Sequence, residues 1–143
     1  LKKINNFLRT KSYTYLWIKA ITTNPSERYF YESYNHYKND DKIKFLSNQI
    51  EKINNFKNLH NLNIKIIILP FEFQTRKNCD LKFLLPQDKL VKILKNNKLE
   101  YINLSNDFCS HVKSRELFLK FDPVHLSEAG HDFVFNLIKN KIN

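Results

Sequence analysis

The stretch "NIKIIILP", residues 63–70, contains a short run of β-branched residues and ends at a proline. A continuous apolar run of this kind predicts a β-strand buried on both faces, as in a parallel sheet. A second strand is predicted in "LEYINLS", residues 99–105, and the helical pattern of "PQDKLVKILKNN", residues 86–97, lies between them. Pro86 suits the first turn of that helix. Strand, helix and strand in this order predict a parallel pair joined by a crossover helix.

Helices are predicted on both sides of this unit. Apolar residues recur at spacings of three and four from Lys2 to about Thr22 and again from Asp40 to Ile53, which is typical of amphipathic helices. A terminal helix is predicted from Ser127 to Ile142, with these residues facing the core: Phe133, Val134, Leu137 and Ile138. The Tyr-rich segment "TTNPSERYFYESYNHYKNDD", residues 22–41, has no sustained period and is predicted to be a long connection whose aromatic residues cover a core edge.

The chain of 143 residues is long enough for a single domain with its own core. Two strands are nevertheless few, because a sheet ordinarily has about five or six. The first residue is Leu1 rather than a methionine. We therefore expect residues 1–143 to form the C-terminal portion of a larger α/β domain.

The formal net charge of +10 suits a nucleic-acid-binding protein. However, lysine far outnumbers arginine and the lysines are spread along the chain, so we expect no nucleic-acid partner. No apolar run reaches the roughly 20 residues that span a bilayer, and no membrane span is predicted. Cys79 and Cys109 form no C-x-x-C pair and are interpreted as buried thiols, with neither a zinc site nor a disulfide scaffold indicated. No metal or cofactor is predicted.

The stretch "KFDPVHLSEAGHDFVF", residues 120–135, holds the residues best suited to chemistry. Asp122 and His125 follow the last strand, and functional groups gather beyond the C-terminal ends of parallel strands. A carboxylate three residues before a histidine can accept the proton of imidazole Nδ1, which leaves Nε2 to act as a general base. In the alternative interpretation, Asp122 caps a turn and His125 only marks the entrance to the terminal helix.

The longer stretch "LFLKFDPVHLSEAGHDFVFNLI", residues 117–138, resembles the last motif block of the SGNH/GDSL hydrolase family. In that block an Asp-x-x-His pair is followed by Gly-His and an apolar C-terminal helix. The stretches "IKIIILPFEF", residues 64–73, and "LEYINLS" resemble the family's last two strands, and "KSYTYLWIKAI", residues 11–21, resembles one of its helices.

The resemblance implies a three-layer, flavodoxin-like α/β domain and a serine esterase or acyltransferase without a cofactor. Its substrate would be a small-molecule or carbohydrate ester. Asp122 would orient the catalytic base, and His125 would be that base. Gly130 would let the final helix pack closely, and His131 would be structural.

The chain also departs from the family pattern. The family's nucleophile lies in a Gly-Asp-Ser block, and its oxyanion donors include a Gly and an Asn from the next two blocks; the single glycine here is Gly130. The upstream half of the same domain is therefore expected as the partner that supplies these groups. The serines weighed as nucleophiles lack a strand-to-helix elbow and are interpreted as caps or surface hydroxyls: Ser12, Ser33, Ser110 and Ser114.

Two readings from other classes stay open on the residues alone. The chain can be a non-catalytic α/β fragment or interaction module, or a basic nucleic-acid-binding domain. The segment "PFEFQTRKNCD", residues 70–80, is predicted to be a charged loop. In it Arg76 or Lys77 either contacts an acidic or sugar substrate or is simply solvated.

Overall fold

The structure is a computed structural model that describes residues 7–8, 10–22, 24–120 and 122–142. Two strands are present in this part of the chain, β1 at Lys65–Ile68 and β2 at Glu100–Asn103. Short 3₁₀ helices span Leu81–Phe83 and Ser114–Leu117. The α-helices are, in chain order, α1 Tyr13–Thr22, α2 Pro25–Lys38, α3 Asp40–Leu59, α4 Glu72–Arg76, α5 Leu85–Asn96, α6 Ser105–Ser110 and α7 Glu128–Ile142.

Most of the predicted helices are confirmed. The helices predicted to begin at Asp40, at Pro86 and at Ser127 correspond to α3, α5 and α7. The second half of the helix predicted from Lys2 to Thr22 is α1, and the Ser12 side chain accepts the backbone N–H of Tyr15 at its start. Residues 2–6 of that prediction lie outside the described residues.

The two strands pair in parallel, as predicted. Ile67 of β1 lies opposite Ile102 of β2, and the backbone N–H of Leu104 continues the pairing by donating to the carbonyl of Ile68 at 2.9 Å. Helix α5 makes the crossover between them. The fold is therefore of the general α/β class.

The core consists of two clusters that lie on opposite faces of the sheet, because successive residues of β2 point to opposite sides. Helices α3 and α5 cover one face, where Tyr101 of β2 packs with Ile50, Ile68, Ile93, Leu94 and Leu99. Helix α7 covers the other face, where Ile102 packs with Leu104, Phe108, Leu117 and Phe118. The four side chains of α7 predicted to face the core do pack against this second cluster.

Strand β1 is less buried than predicted. Ile67 is 41% exposed, whereas its partner Ile102 is buried, because the second cluster covers β2 and leaves this face of β1 open. Within the described residues β1 has a strand on one side only. The prediction of a strand buried on both faces is therefore wrong for β1, and this two-stranded sheet does not make the three-layer, flavodoxin-like domain that the resemblance implies.

The Tyr-rich segment predicted as a connection is instead helix α2. The Asn24 side chain accepts the backbone N–H of Glu27 at 3.1 Å and donates to the Glu27 carboxylate at 2.9 Å, which is a capped N-terminus followed directly by Pro25. Phe30 is fully buried and stacks on Phe73 with ring centroids 5.0 Å apart. The aromatic residues of α2 do cover a core edge, as predicted. Other aromatic residues lie on the exposed side of the helix, so the apolar residues of the sequence show no clear helical period.

The prediction that the two cysteines are buried thiols is wrong. Cys79 and Cys109 form a disulfide, with their Cα atoms 5.7 Å apart. The two residues meet because the segments after β1 and β2 both lie beyond the same edge of the parallel pair. The segment 70–80, predicted as a loop, contains the short helix α4 before Cys79. None of the helices in the described part of the chain combines the length and the apolar character needed to cross a membrane.

Candidate active site

Asp122 and His125 lie on a short loop between the 3₁₀ helix Ser114–Leu117 and α7, which we call the Asp–His loop. Phe118 and Leu126, at the two ends of this loop, form an antiparallel bridge. The backbone N–H of Leu119 donates to the carbonyl of His125 at 3.0 Å. The loop is therefore a closed, hairpin-like turn at the C-terminal edge of the sheet.

The side chains of Asp122 and His125 are in direct contact. His125 Nδ1 lies 2.9 Å from Asp122 Oδ2 and 3.0 Å from Oδ1. Asp122 Oδ1 also accepts the backbone N–H groups of Val124 at 2.9 Å and of His125 at 2.7 Å. The contact predicted from the three-residue spacing is present, and the Asp122 carboxylate caps the turn at the same time.

The hydrogen bonds keep the Asp122 carboxylate ionised. Partial burial by itself would raise the pKa of Asp122, but the backbone N–H groups of His125 and Val124 and the His125 imidazole outweigh it, so that the pKa lies below its usual value. A carboxylate that is anionic at neutral pH can accept a proton from Nδ1 and stabilise a positive charge on the ring.

The histidine ring is open to solvent. The side chain of His125 is 73% exposed, whereas that of Asp122 is 30% exposed. If Nδ1 carries the proton that is donated to Asp122, then Nε2 is the unprotonated nitrogen of this exposed ring. This arrangement can take a proton from a hydroxyl that approaches from solvent.

Two neighbouring segments hold the Asp–His loop in place. In the middle of the loop, the backbone N–H of Glu72 in α4 donates to the carbonyl of Pro123 at 3.1 Å. At the C-terminal end of the loop, Ser127 donates its backbone N–H to Leu117 and its hydroxyl to the carbonyl of Glu116. Sequence reasoning missed these supports. The sequence did contain a signal for a structural role of Ser127, because serine before a helix is a preferred N-cap. It contained no signal for the contact between Glu72 and Pro123.

Gly130 lies where α7 crosses the 3₁₀ helix Ser114–Leu117. A Cβ atom at Gly130 would lie 2.0 Å from the carbonyl oxygen of Leu117 and 3.1 Å from Cβ of Leu126. The predicted structural role of Gly130 in close packing is confirmed. His131 is exposed, and its backbone N–H bonds to the Ser127 carbonyl within the helix start.

The other candidates have partners that favour structural roles. Arg76 Nη2 donates to the Glu72 carboxylate at 2.9 Å and to Asn24 Oδ1 at 2.8 Å; its Nε is 2.9 Å from Glu72 Oε1 without hydrogen-bond geometry. Lys77 is exposed. Ser110 donates its hydroxyl to backbone carbonyls of its own helix. The described residues contain no group of three or more side chains able to hold a metal ion.

The structure thus brings Asp122 and His125 together. In the described part of the chain, none of the serines considered as nucleophiles forms a hydrogen bond with either of them. Models of protein families, curated proteins and solved structures were all compared with the chain, and none of them matches it.

Proposed function

We propose that the chain supplies the Asp/His part of the catalytic triad of an SGNH-type serine esterase or acyltransferase. The observation that carries the proposal is the contact of 2.9 Å between Asp122 Oδ2 and Nδ1 of an exposed His125. The substrate class is a small-molecule or carbohydrate ester, as the resemblance implies.

In this proposal Asp122 fixes the His125 tautomer by accepting its Nδ1 proton. Nε2 then removes the proton from a serine hydroxyl as its oxygen attacks the ester carbonyl. The anionic Asp122 stabilises the imidazolium that forms, and the imidazolium returns the proton to the departing alkoxide. Water or an acceptor hydroxyl repeats the sequence to release the acyl group, which gives hydrolysis or transfer respectively.

The serine and the oxyanion donors would come from an upstream half of the same domain, so that residues 1–143 are its C-terminal portion. Strand β1 supports this because it has an unpaired edge within the described residues and an exposed Ile67. Unpaired apolar edges are normally covered in folded proteins. Further strands beyond β1, with a helix over Ile67, would complete the three-layer, flavodoxin-like sheet.

The test is to express the chain together with the polypeptide encoded directly upstream and to measure hydrolysis of p-nitrophenyl acetate. His125→Ala should lower kcat/KM by about 10²- to 10⁴-fold, the usual contribution of a general base. His131→Ala is the matched control, because it removes another exposed imidazole six residues away and should leave the rate unchanged. Equal rates for the wild type and His125→Ala would end the assignment of the base.

The second candidate is a non-catalytic α/β fragment or interaction module. It is favoured by the absence of a Gly-Asp-Ser block and by the use of Gly130, the single glycine, in helix packing. A catalytic base has nothing to activate without a nucleophile and oxyanion donors. An upstream reading frame with no Gly-Asp-Ser block, together with hydrolysis no faster than that of His125→Ala, would support this candidate over the enzyme.

A further inference from the structure

We propose that the Cys79–Cys109 disulfide positions the Asp–His loop, and that the loop therefore takes its working geometry only under oxidising conditions. Only the statement that the loop takes part in catalysis depends on the proposed function. The structural content of the proposal rests on the two segments that the disulfide joins.

The first of these segments leads from Cys79 to Pro123. The backbone N–H of Cys79 donates to the carbonyl of Gln74 at 2.9 Å, which fastens the turn containing Cys79 to helix α4. Gln74 is fully buried, and its amide Nε2 donates to Gln87 Oε1 at 2.8 Å. Because α4 has only five residues, a displacement of its C-terminal end also moves Glu72, whose N–H holds Pro123.

The second segment leads from Cys109 to Ser127. Cys109 lies in α6, and the chain continues through His111, whose carbonyl accepts the N–H of Ser114 at 3.1 Å. The 3₁₀ helix that starts at Ser114 ends at Leu117, and its last carbonyls accept the N–H and hydroxyl of Ser127. The far end of the Asp–His loop is therefore held by the segment that follows Cys109.

The disulfide thus joins the two supports of the loop covalently, in addition to the packing of α4 against α6 and against the 3₁₀ helix Ser114–Leu117. The cysteines are 30 residues apart in sequence, so that their link also stabilises the fold by lowering the conformational entropy of the unfolded chain. Asn78 and Cys79 have φ angles of 50° and 48°, a left-handed conformation that is unfavourable for residues other than glycine and is held by its surroundings. Without the bridge, this turn loses its covalent restraint.

The redox chemistry of the disulfide determines in which cell compartment the Asp–His loop is held in position. Two thiols form the bond by giving two electrons and two protons to a thiol–disulfide oxidant, and a dithiol reductant reverses the reaction by returning them. Protein disulfides form and persist in secretory, periplasmic or extracellular surroundings, and are rare in the reducing cytosol. We therefore infer that the folded site belongs to an oxidising compartment.

The test compares three samples of the 143-residue chain: the wild type purified without reductant, the wild type in dithiothreitol, and the double variant Cys79→Ser/Cys109→Ser. Alkylation followed by mass spectrometry should find no free thiol in the first sample. Loss of the bridge should lower the thermal midpoint by about 10 °C. The decisive readout is amide hydrogen exchange measured well below every midpoint.

The amides of Glu72 and His125 report on the loop and its support, and the buried amide of Leu104 reports on the sheet. Reduction should speed exchange at Glu72 and His125 at least tenfold, whereas exchange at Leu104 should change only by the factor that the measured loss of global stability gives. Dithiothreitol should change nothing in the double variant. If the double variant does not fold, partial reduction of the wild type gives the same comparison.

Two free thiols in the folded wild type would overturn the proposal, and so would unchanged exchange at Glu72 and His125 while Leu104 exchanges faster, because a bridge that only stabilises the whole fold leaves local openings unchanged. No ester is used in these measurements. The positioning role therefore stands or fails separately from the esterase activity.

Discussion

Replacing Gly130 with alanine sets two opposing effects against each other. Gly130 is in the first turn of α7, where its Cα faces the carbonyl of Leu117. Alanine is the better helix former by up to about 1 kcal/mol, so a glycine without neighbours would give a more stable variant. The added Cβ, however, would lie 2.0 Å from the Leu117 oxygen, which is far inside van der Waals contact. That neighbour is backbone and has no rotamer with which to move away.

The clash should dominate. Relieving such overpacking by moving a helix costs about 1–3 kcal/mol, and a shift of the Leu117 carbonyl weakens its hydrogen bond from Ser127, which is worth about 1 kcal/mol. After the gain in helix propensity we expect Gly130→Ala to lower the free energy of unfolding by about 2 kcal/mol. For a chain of this size the thermal midpoint should fall by about 6 °C.

Urea unfolding followed by far-ultraviolet circular dichroism measures this difference. Ala129→Gly is the matched control, because Ala129 is exposed in the same turn of α7 and the reverse substitution there reports helix propensity alone, at a cost of about 1 kcal/mol or less. A Gly130→Ala variant as stable as the wild type, or more stable, would show that α7 does not cross Leu117 as closely as described.

Three further substitutions and one control variant test other parts of the structure. Asp122→Asn should have a lower free energy of unfolding than the wild type at pH 7. Because the pKa of Asp122 is lowered in the folded state, this difference in free energy is fully present above the ordinary pKa of about 3.9. Urea unfolding between pH 7 and pH 2.5 should show it shrink as the pH falls through the folded pKa. Phe30→Ala should lower the free energy of unfolding by about 3–5 kcal/mol because the ring is fully buried, while Tyr13→Ala, at an exposed ring, should change it by less than about 0.5 kcal/mol. Gln74→Leu should cost about 2 kcal/mol by leaving the N–H of Phe71 without its acceptor, and an unchanged thermal midpoint would contradict the buried amide network.

Features that depend on nearby residues could be predicted from the sequence. Helices α3 and α7 have apolar residues at a regular helical spacing, β1 is a short β-branched run, and a helical pattern separates it from β2. The contact between Asp122 and His125 depends on three residues of spacing and a proline, and it forms through backbone hydrogen bonds inside one turn. In each case the physical cause lies within the quoted stretch.

Features that depend on distant residues could not be predicted. The Cys79–Cys109 bridge requires the segments after both strands to meet, and a single pair of cysteines gives no sign of such a meeting. Helix α2 carries Tyr and Asn at positions without a clear apolar period, and Phe30 is buried by rings from the segment after β1. The Asn24–Pro25 cap with Glu27 was the local signal that could have identified this helix.

In the turn around Pro123, backbone N–H groups of the turn itself orient the Asp122 carboxylate towards the His125 ring, so this orientation requires no residue from outside the turn. A half-centre of this kind can be preassembled on one polypeptide and completed by another that brings the hydroxyl. For protein engineering, the proposed function would make the chain a starting point for a split enzyme, in which two separately produced pieces gain turnover only when they are mixed.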